Sequence, residues 1–185
     1  MNYKITILLL SLTIGCNIQK EKADTFNKLE TVEICSIAQL QGDSLATVLI
    51  NEPKQVIGQA NQPNGDSCLL SILAKISQTV LVKADSRYLV ALDSLGKHSD
   101  GFLSESLSEA MVTLFDERLE YLLKYLRSSE ESHLTKYLRY GLSIDISMQG
   151  TKQERLDGAL FRVTSIEDQE FLSELFEKVH PEQFD

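Results

Sequence analysis

The sequence predicts a mainly α-helical protein, a bundle or short stack of about six helices preceded by an N-terminal segment of ambiguous pattern. The 185 residues include only three prolines and nine glycines, too few breakers for a turn-rich β-sandwich. Hydrophobic residues make up 43% of the chain, which is ordinary for a globular protein and too high for a disordered one. Beyond residue 65, apolar residues recur at steps of three and four, which places them on one face of each helix.

The stretch before this clear helical pattern is ambiguous. Residues 29–40 fit helical spacing loosely, Asp43 or Ser44 is placed to cap a short helix, and strands are an alternative over residues 29–50. Residues 51–65 carry two of the three prolines in the chain, so we expect mostly loop there.

Two regular helices are expected next. Asp66 or Ser67 can cap the first of them. The second runs from Ser86 to Leu95 and ends at Gly96, because glycine tolerates the left-handed conformation at a helix C-terminus. The predicted buried stripe of the first helix consists of Leu69, Ile72, Leu73, Ile76 and Val80.

The strongest helical pattern begins at Ser104 and ends at Leu126. Acidic residues lie near its start and basic residues near its end, an arrangement that the helix dipole favours. The pattern predicts one long helix, or two helices with a bend near Asp116.

Three more helices complete the prediction. Ser129 is placed to cap the first, although apolar residues alternate over 142–148 and a short strand there is an alternative. Another helix is expected over residues 152–163. The last has Ser165 as its N-cap and ends before Pro181, which cannot continue a helix.

The first sixteen residues have a different character. A single positive charge at Lys4 precedes ten uncharged residues, Ile5 to Ile14, and Gly15 stands directly before Cys16. A charged start, an apolar run and a small residue at its exit describe a secretory signal peptide. The apolar run is too short for a transmembrane helix, which needs about 20 residues.

This arrangement resembles the lipobox of bacterial lipoproteins, with Thr13 at a position where the usual pattern has leucine. The resemblance covers residues 5–16. It implies a lipid thioether on Cys16, cleavage before it, an acyl chain such as palmitate on the new amino terminus, and a cell-envelope location facing the periplasm or the exterior. The same residues are compatible with a cleaved signal peptide without lipid, and with an uncleaved anchor or buried core segment.

These features divide the chain into residues 1–15 as signal peptide, 16–28 as lipidated cysteine and polar tether, and 29–185 as a single helical domain. The net charge is −9, and loss of Lys4 with the signal peptide leaves about −10. An acidic surface disfavours nucleic acid and anionic lipid surfaces. The expected partners are the membrane, which the lipobox resemblance implies through the lipid anchor, and another envelope protein.

Two cysteines remain besides Cys16. Because an exported compartment is oxidising, a Cys35–Cys68 disulfide is expected, with two separately buried thiols as the alternative. No Cys-x-x-Cys pair occurs, which leaves a thioredoxin-like site or a zinc ribbon without support.

No residue pattern points to catalysis. Among the three histidines, His98 lies near Asp93 and Asp100 in a polar turn, a weak arrangement for metal binding or proton transfer. The sequence lacks the motifs of zinc proteases, serine hydrolases, P-loop enzymes and dinucleotide-binding proteins. We therefore name no catalytic residue, metal ligand or cofactor, and a protein without enzymatic activity is favoured over an enzyme.

Tyrosines and arginines on two consecutive predicted helices suggest a binding surface. Such an aromatic, basic patch suits a protein interface, where Tyr and Arg are typical anchors. The alternative is that Tyr125 and Tyr140 flank the core with their hydroxyls in water. The candidate patch consists of Tyr121, Tyr125, Tyr137, Tyr140, Arg127 and Arg139.

The sequence thus favours a membrane-anchored envelope lipoprotein whose helical domain binds another protein, as inhibitors or immunity proteins of envelope toxins do. An envelope hydrolase with an unrecognised site and a small-ligand carrier are the alternatives. A pocket around His98 would favour the hydrolase, a dry apolar cavity the carrier, and exposed tyrosines the binding protein.

Overall fold

Helices account for the fold in the computed structural model, which describes residues 33–129 and 131–184. The mainly helical class is confirmed, and these residues contain no strand; they form ten α-helices where about six were predicted. The helices are α1 (Ile34–Ile37), α2 (Gly42–Asn51), α3 (Pro53–Gly58), α4 (Gly65–Val82), α5 (Ser86–Gly96), α6 (Gly101–Glu117), α7 (Leu119–Ser128), α8 (Leu134–Gln149), α9 (Lys152–Arg162) and α10 (Ile166–Glu177), with 3₁₀-helices at Gln59–Asn61 and Pro181–Gln183.

The N-terminal part of the described chain is more regular than its sequence pattern indicates. α2 begins at Gly42, whose φ of +51° favours glycine, and neither Asp43 nor Ser44 caps it. The stretch predicted as loop contains α3, because Pro53 occupies its first turn, where a missing N–H costs no hydrogen bond. The predicted signal peptide, Cys16 and the polar tether precede residue 33 and lie outside the described residues.

The predicted disulfide is formed. Cys35 of α1 and Cys68 of α4 are bonded, with an S–S distance of 2.01 Å and Cα atoms 5.1 Å apart. α1 has only four residues, too few for a helix to be stable by its own hydrogen bonds. The disulfide and the burial of Ile34 and Ile37 therefore hold α1 against the rest of the fold.

Side-chain caps set the starts of three helices. The hydroxyl of Ser165 accepts a hydrogen bond from the backbone N–H of Asp168 at 3.2 Å, as predicted for the last helix. Asp85 caps α5, and Thr151 with Glu154 forms a reciprocal capping box at the start of α9. Each cap satisfies N–H groups that the first turn of a helix leaves unpaired.

Three other predicted starts are wrong, and at two of them a positive φ rather than a side-chain acceptor marks the start. α4 follows Asn64, which has a left-handed φ of 62°, and neither Asp66 nor Ser67 caps it. α6 begins at Gly101, where φ is +46°, three residues before the predicted serine. Ser129 does not cap α8; at its start Ser132 Oγ accepts a hydrogen bond from the N–H of Leu134 at 3.3 Å, and Asp93 accepts one from the N–H of His133.

The long apolar stripe over residues 104–126 forms two helices, α6 and α7, that meet at Arg118, close to the predicted bend. The Nε atom of Arg118 donates to the carbonyl of Leu81 at 2.7 Å, at the end of α4. Arg162 likewise donates to the carbonyl of Asp116 at 2.6 Å, in the last turn of α6. Both cations satisfy carbonyls that a helix C-terminus leaves unpaired.

The core lies along α4, α5, α6 and α8, and α6 packs against both α4 and α8. Phe115 of α6 meets Phe176 of α10, with ring centroids 6.1 Å apart, so α10 covers the end of this core. Tyr88 is fully buried within α5, and its hydroxyl reaches Asp43 of α2 at 2.5 Å. Burial of these large rings helps to hold the separate helices together.

α4 is, in the described part of the chain, the one helix whose length and composition would suit a membrane span, with 18 residues and a mean hydropathy of 1.2. Within the fold, its apolar stripe faces the core, as the spacing predicts. The buried members of this stripe are Leu69, Ile72, Leu73, Ile76 and Val80.

Candidate protein-binding groove

α6 and α8 lie side by side and run in the same direction. Ser99 links their N-terminal ends, and Arg155 links their C-terminal ends. Residues 142–148, for which a strand was an alternative, belong to α8. The contacts are Ser99 Oγ to Ser104 Oγ (3.4 Å) and to Tyr137 Oη (2.6 Å) near the starts, and Arg155 Nη2 to Asp116 Oδ1 (2.6 Å) and to Asp145 Oδ2 (3.4 Å) near the ends.

Gly141 lets the two helices approach closely where they meet. A Cβ atom at this position would lie 2.6 Å from the backbone oxygen of Ser108 and 2.8 Å from Cγ2 of Val112, closer than packed atoms can come. The larger side chains on both sides of this contact stand above it. They form the walls of a groove whose floor is the contact itself.

The groove has a volume of about 400 Å³. Its residues fall on one stripe of each helix at steps of three to four, so two or three turns of each helix contribute. We call this set the α6/α8 groove; it consists of Glu105, Ser108, Glu109 and Val112 of α6 and Tyr140, Gly141, Ile144, Asp145 and Met148 of α8.

Large apolar side chains of the groove reach solvent. Met148 is 76% exposed and Tyr140 is 41% exposed. The ring of Phe184, itself 40% exposed, meets the Tyr140 ring edge-on, with centroids 5.4 Å apart, and so extends the aromatic surface. Apolar residues scattered singly over a surface are common, whereas a methionine beside an exposed aromatic pair is typical of an interaction surface.

The carboxylates of the groove differ in their pairing. Asp145 shares Arg155 with Asp116, so its charge is partly balanced. Glu105 and Glu109 are one turn apart on α6 and form no ion pair with any residue of the described chain. The groove therefore carries an unbalanced negative charge beside an apolar surface.

Two tyrosines of the sequence-predicted patch are core residues. Tyr137 is buried and donates a hydrogen bond to the carbonyl of Gly96 at 2.8 Å. Tyr125 is 9% exposed, and its hydroxyl donates to Asp93 Oδ2 at 3.0 Å. Burial is the main cause that raises the pKa of Tyr125, and the negative charge of Asp93 raises it further. Both hydroxyls thus have structural partners within the fold.

The other four residues of that patch are separated by their contacts. Tyr121 is half-buried, and burial raises its pKa. Arg127 of α7 pairs with Asp168 of α10 at 2.9 Å. Desolvation lowers the pKa of Arg139, whose Nε is buried. Tyr140 alone of the four tyrosines is exposed, so the six residues do not form one exposed patch.

His98 lies in a separate hollow of about 390 Å³ that Lys54 and Lys97 also line. Desolvation, followed by the charges of these lysines, lowers the pKa of His98. Asp93 does not line this hollow, because it accepts hydrogen bonds from Tyr125 and from the backbone N–H of His133 at 2.8 Å. The described residues contain no cluster of three or more His, Cys, Asp or Glu side chains that could hold a metal ion.

Sequence reasoning missed most of the groove. Glu105 and Glu109 were attributed to the helix dipole, and Met148 to an alternating apolar run. One usable signal was present, because neither glutamate has a lysine or arginine four residues later to balance it on the same helix. The proximity of α6 and α8, which α7 separates along the chain, has no such local signal.

Comparisons with protein-family models, with curated protein sequences and with solved structures found no match to this chain. Functional conclusions therefore depend on the residues and the geometry described above.

Proposed function

We propose that this protein is a lipid-anchored protein of the bacterial cell envelope whose helical domain binds another protein through the α6/α8 groove. The observation that carries the proposal is the exposure of Met148 and Tyr140 beside Glu105 and Glu109, whose carboxylates have no ion-pair partner among the described residues. Apolar surface with a polar rim is typical of protein-binding sites.

The proposed location in the cell envelope is inferred from the lipobox-like residues 5–16. Each buried methylene of a lipid chain contributes about 0.8 kcal/mol, and a single chain holds a protein only marginally. Acyl chains on both the sulfur and the amino group of Cys16 would hold it durably. The polar residues 17–28 would then separate the helical domain from the membrane surface.

The anchor is tested by metabolic labelling with a palmitate analogue in a bacterial host that processes lipoproteins. We expect label on the wild-type chain and none on Cys16→Ala. Cys35→Ser is the matched control, because it removes a cysteine that the anchor does not use, and it should keep the label. Equal labelling of the wild type and Cys16→Ala would refute the anchor.

Binding through the groove is tested with a photo-crosslinking amino acid in intact cells. Placed at Met148, it should yield a discrete crosslinked species, since this side chain is the most exposed apolar group of the groove. Placed at Glu174, on the solvent side of α10, it should not. The Met148 species should also disappear when Tyr140→Ser removes the neighbouring ring. Identical patterns from both positions would contradict binding at the groove.

A further inference from the structure

The chemistry of the α6/α8 groove narrows the partner to one class, an inference that rests on the proposed function. We propose that the groove binds a cationic amphipathic helix of its partner protein. Such a helix presents apolar side chains along one face and lysine or arginine along its borders. The apolar wall, the unpaired charge and the shape of the groove each select one feature of this occupant.

The apolar wall selects an apolar face. Tyr140, Ile144 and Met148 follow one another at four-residue steps on α8 and face Val112 of α6 across the groove. Eight residues of helix span about 12 Å, which is a little more than two turns of a second helix. A partner helix with apolar residues at equivalent steps would cover this wall and remove Met148 from water.

The charge selects lysine or arginine. Glu105 and Glu109 lie on the same face of α6, about 6 Å apart at this spacing. Two basic side chains one turn apart on a partner helix would match them. Since Asp145 already shares Arg155 with Asp116, the attraction concentrates on the α6 side of the groove and gives the partner helix an orientation.

The shape selects a helix. α6 and α8 run in the same direction with a close contact at Gly141, so the groove is bounded by one face of each helix over about two turns. A third helix fits such a groove by ridges-into-grooves packing. A second copy of this chain is disfavoured as the occupant, because its net charge is −9 and its charge would oppose that of the groove.

The test measures binding of a synthetic probe to the full, lipidated chain in a neutral detergent. The probe is a fluorescent peptide of about 18 leucine and lysine residues with helical amphipathic spacing. A peptide with glutamate in place of lysine is the control for charge, and protein-free micelles are the control for binding to detergent. Fluorescence anisotropy gives the dissociation constant.

The double variant Glu105→Gln/Glu109→Gln should weaken probe binding by about tenfold, as expected for loss of two charge contacts. Glu170→Gln/Glu174→Gln is the matched control, because it removes the same charge at the same spacing from the exposed face of α10. It should leave binding within about twofold. Met148→Ser should weaken binding while leaving its salt dependence unchanged. Circular dichroism checks that each variant keeps its helical content.

Equal losses from the two double variants would overturn the inference, because binding would then reflect overall acidity. Equal binding of the glutamate peptide would also overturn it. The crosslink at Met148 distinguishes this failure from that of the proposed function. If a cellular partner still crosslinks at Met148 in Glu105→Gln/Glu109→Gln, the proposed binding function would stand. The inference that the partner presents a cationic helix would then be refuted.

Discussion

At the scale of single residues, two glycines decide how closely helices approach α8. A Cβ atom at Gly96 would lie 2.9 Å from Cε2 of Tyr137, and one at Gly141 would meet the backbone of α6. Neither glycine has a positive φ. Both positions need glycine because a larger side chain would overlap neighbouring atoms, not because of their backbone conformation. Hydrophobic periodicity does not reveal this need, since glycine has no apolar side chain to contribute to the pattern.

Gly141→Ala should therefore destabilise the protein. The new methyl group would lie 2.6 Å from the oxygen of Ser108, and relief of the overlap must move α6 away from α8. Overpacking costs about 1–3 kcal/mol, against a gain of about 1 kcal/mol from the better helix propensity of alanine. We expect a net loss of up to about 2 kcal/mol in the free energy of unfolding, measured by urea denaturation.

Gly158→Ala supplies the control for this substitution. Gly158 lies inside α9, and a Cβ atom there would have no neighbour within 4 Å. The gain in helix propensity then acts alone, and we expect stabilisation by about 0.5–1 kcal/mol. Equal effects of the two substitutions would contradict the close contact between α6 and α8.

At the scale of elements, the sequence predicts those helices whose burial follows a regular period. The stripe of α4, the start of α5 and the Ser165 cap of α10 are correct, because each depends on residues within a few positions of one another. α5 also ends at Gly96, but the predicted reason is wrong, because Gly96 has no positive φ. α1 is different, since four residues become helical only through a disulfide and long-range burial. No local pattern contains that information.

The same distinction explains the outcome for the tyrosines. Tyr125 and Tyr137 have hydroxyl partners, Asp93 and Gly96, that lie 32 and 41 positions earlier in the chain. A tyrosine whose hydroxyl is satisfied can be buried, so its exposure depends on a partner that only the fold supplies. Tyr140 has no such hydroxyl contact within residues 33–129 and 131–184, and it is exposed. The groove was missed for the same reason, because its two walls come from helices that are distant along the chain.

The link between α2 and α5 predicts a specific pH dependence. The hydrogen bond from Tyr88 lowers the pKa of Asp43 below its usual value of 3.8, and the charge of Arg87 lowers it further. Because the pKa of Asp43 is lowered in the folded state, its contacts with Tyr88 and Arg87 stabilise the fold at pH values above the unfolded pKa. This stabilisation is lost as pH falls through the folded pKa.

In Tyr88→Phe, the pKa of Asp43 should rise, and in Arg87→Gln it should rise by less, because the hydrogen bond is the larger cause. Carboxyl ¹³C chemical shifts measured over pH titrations give the three values directly. The difference in melting temperature between the wild type and Tyr88→Phe should also shrink as pH falls through the acid range. An Asp43 pKa that is unchanged in Tyr88→Phe would show that the hydrogen bond does not form in solution.

At the scale of the whole molecule, the disulfide and the groove proposed to bind a partner lie on different elements. The disulfide joins α1 to α4, whereas every residue of the groove belongs to α6 or α8. Loss of the disulfide should therefore lower stability without changing binding at the groove. Removal of the disulfide tests this separation, because it acts on the unfolded chain more than on any contact of the groove.

The double variant Cys35→Ser/Cys68→Ser should lose about 3–4 kcal/mol in the free energy of unfolding, since the bond closes a loop with a sequence separation of 33 residues. The urea dependence should steepen, because an unfolded chain without the bond is more expanded. A reductant should destabilise the wild type to the same level and leave the double variant unchanged.

In buffer without urea, where both proteins are folded, the wild type and the double variant should bind the cationic peptide with the same affinity. Weakened binding would show that α1 and the disulfide also set the shape of the groove, and a stability loss below about 1 kcal/mol would contradict the chain-entropy effect.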